Sequence, residues 1–177
     1  MAYKGIMANQ AQEAPIDALR IFDRTLVRRH RDRAADAFHD HNFLVTEVAN
    51  RTADRLRDIN RTFDRILDLG CHTGEMAQAL LGRDDVDMLI QTDLSERMVR
   101  KTTGCRLVAD EEVLPFADNS FDLVTSVLSL HWVNDLPGAL LQINRSLKPD
   151  GLFVGALLGG STLSELRAAL LDGEIEA

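Results

Sequence analysis

The sequence predicts an α/β domain built on a parallel sheet and preceded by helices, on three observations. After Arg65, short apolar runs alternate with helical patterns, the rhythm of strand–helix–strand units. One of these runs passes straight into a glycine-bearing turn, Ile66-Leu67-Asp68-Leu69-Gly70-Cys71-His72-Thr73-Gly74. The 177 residues are 45% hydrophobic and 27% charged, which suits a single domain able to bury a core.

Before the sheet, from Ala18 to about Phe38, Ile21, Phe22, Leu26, Ala34 and Phe38 are interleaved with Arg and Asp, predicting one or two amphipathic helices. A second stretch sets Phe43, Leu44, Val48, Leu56 and Ile59 against Glu47, Arg51, Asp54, Arg55 and Asp58, several spaced to pair one turn apart. Five strands follow: Arg65–Leu69, Met88–Thr92, Arg106–Ala109, Phe121–Leu128 and Leu152–Leu158. Helices are expected over Glu75–Leu81, Ser95–Lys101, Leu136–Leu147 and Thr162–Leu171. Ser95 or Asp135 can cap a first turn, Pro137 fits inside one, and Pro149-Asp150-Gly151 turns the chain into the last strand. Residues 1–17 read as a flexible N-terminus, 18–62 as a helical cap and 63–177 as the sheet domain.

Charge narrows the function classes. Lys and Arg total 20 against 28 Asp and Glu, a net charge of −8, which argues against a nucleic-acid groove as the main surface. The imbalance is local: residues 1–65 carry 12 basic and 10 acidic side chains, and the remainder carries 8 and 18. No apolar run reaches the roughly 18 residues of a membrane span. The start lacks the apolar core of a secretory signal, and Glu13 and Asp17 argue mildly against an organelle presequence. A bacterial cytoplasm is expected, with a mitochondrial matrix as the alternative. Cys71 and Cys105 read as reduced thiols, without disulfide or zinc-ligand spacing.

The strand and turn at residues 66–74 have the form of a nucleotide-cofactor loop. Gly70 and Gly74 permit a sharp turn and close approach to a ligand, and the first amides of the next helix attract an electron-rich group. Asp93 ends the second strand, nineteen residues past Gly74, where it can accept hydrogen bonds from ribose hydroxyls or simply cap the next helix. Ala109-Asp110-Glu111-Glu112 ends the third strand, where a carboxylate can accept from an adenine amino group. Three strand ends thus direct polar groups at one crevice, the usual ligand site of open parallel sheets. Ser126, Ser129, His131 and Trp132 follow the fourth strand. His131 can take a proton and Trp132 can cover a pocket, or both can be ordinary packing and surface residues. His39-Asp40-His41 diverge on a helix and read as solvated rather than metal-binding. The arginines at 28, 29, 31 and 33 read as a solvated basic face, with docking to an acidic protein or membrane surface as the alternative.

These motifs, in this order, with Ser120-Phe121-Asp122-Leu123-Val124 and Leu147-Lys148-Pro149-Asp150-Gly151, resemble those of class I S-adenosylmethionine-dependent methyltransferases. Four segments are similar to the NADH:ubiquinone oxidoreductase (complex I) assembly factor 5 family, itself related to biotin-pathway malonyl-thioester methyltransferases. They are Ile21-Phe22-Asp23-Arg24, Ala109 to Phe116, Ser129 to Pro137, and Leu147 to Gly151. The resemblance implies a Rossmann-like fold with parallel strand order 3-2-1-4-5, lacking the last two of the usual seven strands. It implies S-adenosylmethionine as cofactor, with S-adenosylhomocysteine as product. Asp68, Gly70, Cys71 and Gly74 would surround the methionine end, Asp93 the ribose and Asp110 the adenine, with Leu94, Glu111 and Leu128 nearby. His131 and Ser129 are the candidate catalytic residues, and no metal is expected. An acidic crevice suits a cationic sulfonium.

Two departures stand out. His72 takes a loop position that is usually small, so its ring must point away from the cofactor or restrict it. A sheet ending after five strands would expose an edge and an apolar face, so self-association or a covering partner is expected. The leading reading is methyl transfer to a small-molecule or protein acceptor. Two others stand beside it: hydroxylation of an arginine in a respiratory complex I subunit, which the resemblance implies, and a non-catalytic binding or assembly module, which His72 and the missing strands leave open.

Overall fold

The computed structural model describes residues 20–175, and the expected flexible segment 1–17 lies outside them. The strands are β1 (Arg65–Leu69), β2 (Met88–Asp93), β3 (Cys105–Val108), β4 (Phe121–Val127) and β5 (Leu147–Ala156). They form one sheet in the order β3-β2-β1-β4-β5, with each neighbouring pair parallel. The helices are α1 (Arg24–Ala34), α2 (Phe43–Arg57), α3 (Glu75–Ala79), α4 (Glu96–Val99), α5 (Leu136–Ser146) and α6 (Ser164–Ile175).

Strand alternation divides the core between two faces. On one, Ile66, Leu123 and Val127 pack with Ala49, Ala53 and Leu56 of α2 and Met76 of α3. On the other, Leu67, Leu69 and Val124 pack with Leu130 and with Ile143 of α5. Burial on both faces explains why β1 and β4 read as nearly continuous apolar runs. The chain crosses between β1 and β4 at the centre of the sheet, so the turn after β1 opens into the crevice where parallel sheets of this order bind ligands.

The expected caps form. Ser95 Oγ accepts from the Met98 amide at 3.1 Å, and Asp135 accepts from the Gly138 amide at 2.8 Å, with Pro137 in the first turn of α5. Asp23 Oδ1 caps α1 through the amides of Thr25 and Leu26. α3 and α4 are shorter than their apolar patterns predict, and α1 occupies only the middle of its expected stretch. β5 begins earlier than the turn residues suggest, because Leu147 already pairs with Phe121. The register then shifts, so that Leu152 faces Leu123, and the intervening residues bulge around Asp150 with its φ of 66°. The strand ends at Ala156, leaving Leu157 and Leu158 beyond it, both partly exposed.

Candidate functional site

The turn after β1 is built around two left-handed glycines. Gly70 has φ +74°, and a Cβ there would lie 2.1 Å from Ser129 Oγ. Gly74 has φ +101° and precedes α3. The Gly70 and Cys71 amides both donate to the Thr92 carbonyl at 2.8 Å, binding the turn to the end of β2. The amide of Thr73, one residue before the Gly74 cap of α3, donates to Glu75 Oε2 at 3.0 Å. His72 is left-handed, with φ 51°. Its Nε2 lies 2.9 Å from the Val127 carbonyl and its ring stacks on Phe38, so it forms a wall of the adjoining cavity.

Asp68, at the end of β1, is fully buried. Its Oδ1 accepts from Thr125 Oγ1 at 3.1 Å, whereas Oδ2 has no hydrogen-bond partner. Burial pushes this carboxyl up to about 7, reinforced by the negative charges of Glu75 and Asp93 and opposed by the Thr125 hydrogen bond. Burial and the same carboxylates push up the Cys71 thiol, so it is not an activated nucleophile. At the end of β2, Asp93 accepts from the backbone amides of His72 at 3.1 Å and Ser95 at 2.8 Å.

Two arginines from α1 complete the acidic cluster. Arg31 is buried, with Nη1 3.1 Å from Asp93 Oδ1 and 2.9 Å from Glu111 Oε1, and Nη2 2.9 Å from Ser129 Oγ. Arg24 donates to Asp110 Oδ1 at 2.6 Å, to Glu111 Oε2, and to the Trp132 carbonyl at 3.0 Å. Burial alone would raise the Glu111 carboxyl, but Arg31, Arg24 and the Ser129 hydroxyl overcome it and hold the group at about 2. The Ser129 hydroxyl donates to Glu111 at 2.6 Å and accepts from Arg31, so both of its functions are engaged. Beside the cluster, α1, the glycine turn and the loop after β4 enclose a cavity of about 260 Å³, bounded by Val27, Arg31, Phe38, His72, Met98 and Trp132. Next to Trp132, His131 is half-buried, and its Nδ1 is buried without a partner. Burial, with the charges of Arg31 and His72, lowers its imidazole below the ordinary value, keeping it neutral.

The residues present suit a cationic nucleoside cofactor. Asp68 has an unpartnered buried oxygen, Gly70 brings the backbone of the turn directly against Ser129, where no side chain fits, and at the strand ends carboxylates outnumber the two arginines. Comparison with known proteins agrees: the profile described as a methyltransferase domain matches residues 67–155, half of the chain. The chain belongs to this methyltransferase domain family. Its family and fold are those of S-adenosylmethionine-dependent catalysis. The arginine-hydroxylase NDUFAF5, mitochondrial, of Homo sapiens is 47% identical over 165 residues, covering 89% of this chain and 48% of its own. The malonyl-(acyl-carrier protein) O-methyltransferase of Methylovorus sp. (strain MP688) is 37% identical, covering 84% and 55%. A Haloferax volcanii methyltransferase solved with the Trm112 methyltransferase activator superposes with a TM-score of 0.66 at 28% identity, over 74% of this chain and 60% of that one. The chain spans about half the length of the curated relatives it matches.

Within the methyltransferase domain, Asp93, Asp110, Glu111, Ser129 and Gly70 converge through the contacts above. Asp68, Cys71 and Gly74 line the same turn, and His131 lies two residues past Ser129, in the short helical turn Leu130–Trp132. Two residues fall elsewhere. Leu94 lines a separate groove with Arg28, Arg29 and Asp32 of α1 and Val108 at the end of β3. Leu128, left-handed with φ 50°, packs against the α2 core. The basic run also needs correction: Arg28, Arg29 and Arg33 are exposed, but Arg31 is the buried centre of the acidic cluster. His39 and Asp40 form an exposed pair at 3.0 Å, and among the described residues no group of three His, Cys, Asp or Glu could hold a metal. The sequence reading missed Arg24 and Arg31 as site residues. Their spacing with Val27 and Ala34 places all four on one helical face, a legible signal beside an acidic sheet domain.

Proposed function

We propose that this domain binds S-adenosylmethionine and transfers its methyl group to an acceptor. The observation that best supports this is the convergence of Asp68, Asp93 and the Asp110–Glu111 pair at three adjacent strand ends, beside a left-handed glycine turn. When bound, the cofactor supplies a methyl group on a cationic sulfonium. On this reading Asp68, Gly70, Cys71 and Gly74 border its methionine end. Asp93 accepts from ribose hydroxyls and Asp110 from the adenine amino group. Ser129 holds Glu111 in place, neutral His131 receives the acceptor's proton, and Trp132 shields the reacting centre from water. Calorimetric titration with S-adenosylmethionine and S-adenosylhomocysteine tests it. We expect binding that Asp93→Ala abolishes while circular dichroism stays unchanged. No binding by the wild-type chain, or binding indifferent to Asp93→Ala and Asp110→Ala, supports a non-catalytic module instead.

Two observations favour a second reading, hydroxylation of an arginine. Relatives at 46–49% identity carry the name arginine-hydroxylase, and the acidic cluster here holds two guanidinium groups. Product mass separates the readings, because methylation adds about 14 Da and oxygen insertion about 16 Da. A protein acceptor, the complex I subunit implied by the sequence resemblance, suits the second reading, and a malonyl thioester suits the first. The word mitochondrial in the names of these relatives supports the matrix as compartment. Among the described residues no helix is long and apolar enough to cross a membrane. The exposed leucines of α6, with Leu157 and Leu158 after β5, support a covering partner or a second copy on that side.

A further inference from the structure

α1 contradicts the usual economy of a surface helix. Among Arg24 to Ala34 it buries no apolar side chain: Arg31 is its one buried residue, and Leu26 is 46% exposed. Apolar packing sits only at its flanks, where Phe22 meets Trp132 and Ala35 is buried, and the helix itself is fastened to the sheet domain by polar contacts. Arg24 and Arg31 engage Asp93, Asp110, Glu111 and Ser129, while Asp32 accepts from Ser95 Oγ at 2.5 Å. Just beyond the helix, Asp36 pairs with Lys101 at 3.0 Å and with Arg97. Two of these carboxylates, Asp93 and Asp110, are the ones that the proposed function reserves for ribose and adenine. The cavity beside Arg31, about 260 Å³, is small against the roughly 300–1,000 Å³ of sites for drug-sized ligands, while a wider one of about 580 Å³ opens beside Arg24 and Asp110.

We propose that α1 is a displaceable lid, with Arg31 and Arg24 acting as internal counter-ions of the cofactor site. Without a nucleoside ligand, four carboxylates (Asp93, Asp110, Glu111 and Glu112) crowd the ends of β2 and β3, and the two guanidinium groups neutralise part of that charge. A ligand that offers hydroxyl and amino donors and a cationic centre satisfies Asp93 and Asp110, and α1 then loses the ion pairs of Arg31 and Arg24 with them while Asp32 keeps its bond to Ser95. The core-anchored α2 stays in place, and Phe38 on His72 with Asn42 on Glu75 mark where the chain is fixed beyond α1. Ligand entry and lid docking therefore compete for Asp93, held by Arg31, and Asp110, held by Arg24.

This inference rests on the cofactor reading, and hydrogen–deuterium exchange on the whole chain separates the two. The probe is S-adenosylhomocysteine, which binds without reacting. We expect the amides of residues 70–74 to become protected and those of α1 to exchange at least about tenfold faster. Protection of the turn with α1 unchanged or slowed overturns the lid and leaves the cofactor reading standing. No change at the turn overturns both. Arg31→Gln should tighten S-adenosylhomocysteine binding about tenfold in calorimetry, and weaker binding would make Arg31 a ligand contact and sink the lid. Should Arg31→Gln not fold, Arg24→Gln, at the partly exposed end of the cluster, carries the same expectation with a smaller gain.

Discussion

α1 and α2 look alike in sequence, yet the fold attaches them by opposite means. α2 sinks Ala49, Thr52, Ala53 and Leu56 into the core, and its charged pairs, such as Arg51 with Glu47, lie on the outside. α1 turns this inside out: its leucine is exposed and its arginine is buried. Apolar burial is indifferent to ligand chemistry, so α2 is scaffold. Ion pairs can be satisfied by another partner, so a helix held by them can respond to what enters the site.

The comparison breaks most sharply at Glu111. Glu111→Ala leaves two guanidinium groups without a shared partner and should cost about 3–5 kcal/mol in urea unfolding at pH 7. This carboxyl is held at about 2 in the folded chain against an ordinary 4.5, so the stability its charge contributes is complete above pH 4.5 and lost as pH falls towards 2. The wild-type and variant stability curves should therefore converge through that acid window. Leu56→Ala should cost about 2–5 kcal/mol, because Leu56 is fully buried, whereas Leu26→Ala on α1 should stay within about 0.5 kcal/mol. Equal losses from the two leucines would erase the distinction between the helices.

Asp68 gives the next effect. With its carboxyl at about 7 when folded against 3.8 ordinarily, the folded chain holds the extra proton, so stability from this group falls as pH rises between those values. Deprotonation also adds a negative charge for a sulfonium. Cofactor affinity should rise up to about tenfold from pH 6 to pH 8, with proton release visible in buffers of different ionisation enthalpy, and Asp68→Asn should flatten the profile. The smallest effect is expected at Arg97, whose pair with Asp36 is half-exposed: Arg97→Ala should change stability by about 1 kcal/mol or less.

Much of this is legible before any coordinates. The alternation after Arg65 gives β1 to β4 within a residue or two, and Ser95 and Asp135 cap where their side-chain chemistry predicts. Gly70 and Gly74 take the left-handed conformations that a sharp turn needs. β5 is less legible, because Leu147 pairs before the Pro149-Asp150-Gly151 turn and the sequence gives no sign of the register shift. Leu94 shows the other limit: its position after a strand end is readable, but the groove it lines is completed by Arg28, Arg29 and Asp32 of α1, whose docking no local pattern records.

By itself the sequence determined the parallel sheet, its order through the motif resemblance, and the acidic strand ends, because strand periodicity, glycine conformation and cap chemistry are local properties. Only the tertiary structure decided that Arg24 and Arg31 close over those strand ends. Helical spacing puts the two arginines on one face, but which surface that face meets depends on how the chain folds back across more than sixty residues to Asp93. A pairing at that separation is fixed by the packing of the whole domain, which no local pattern records.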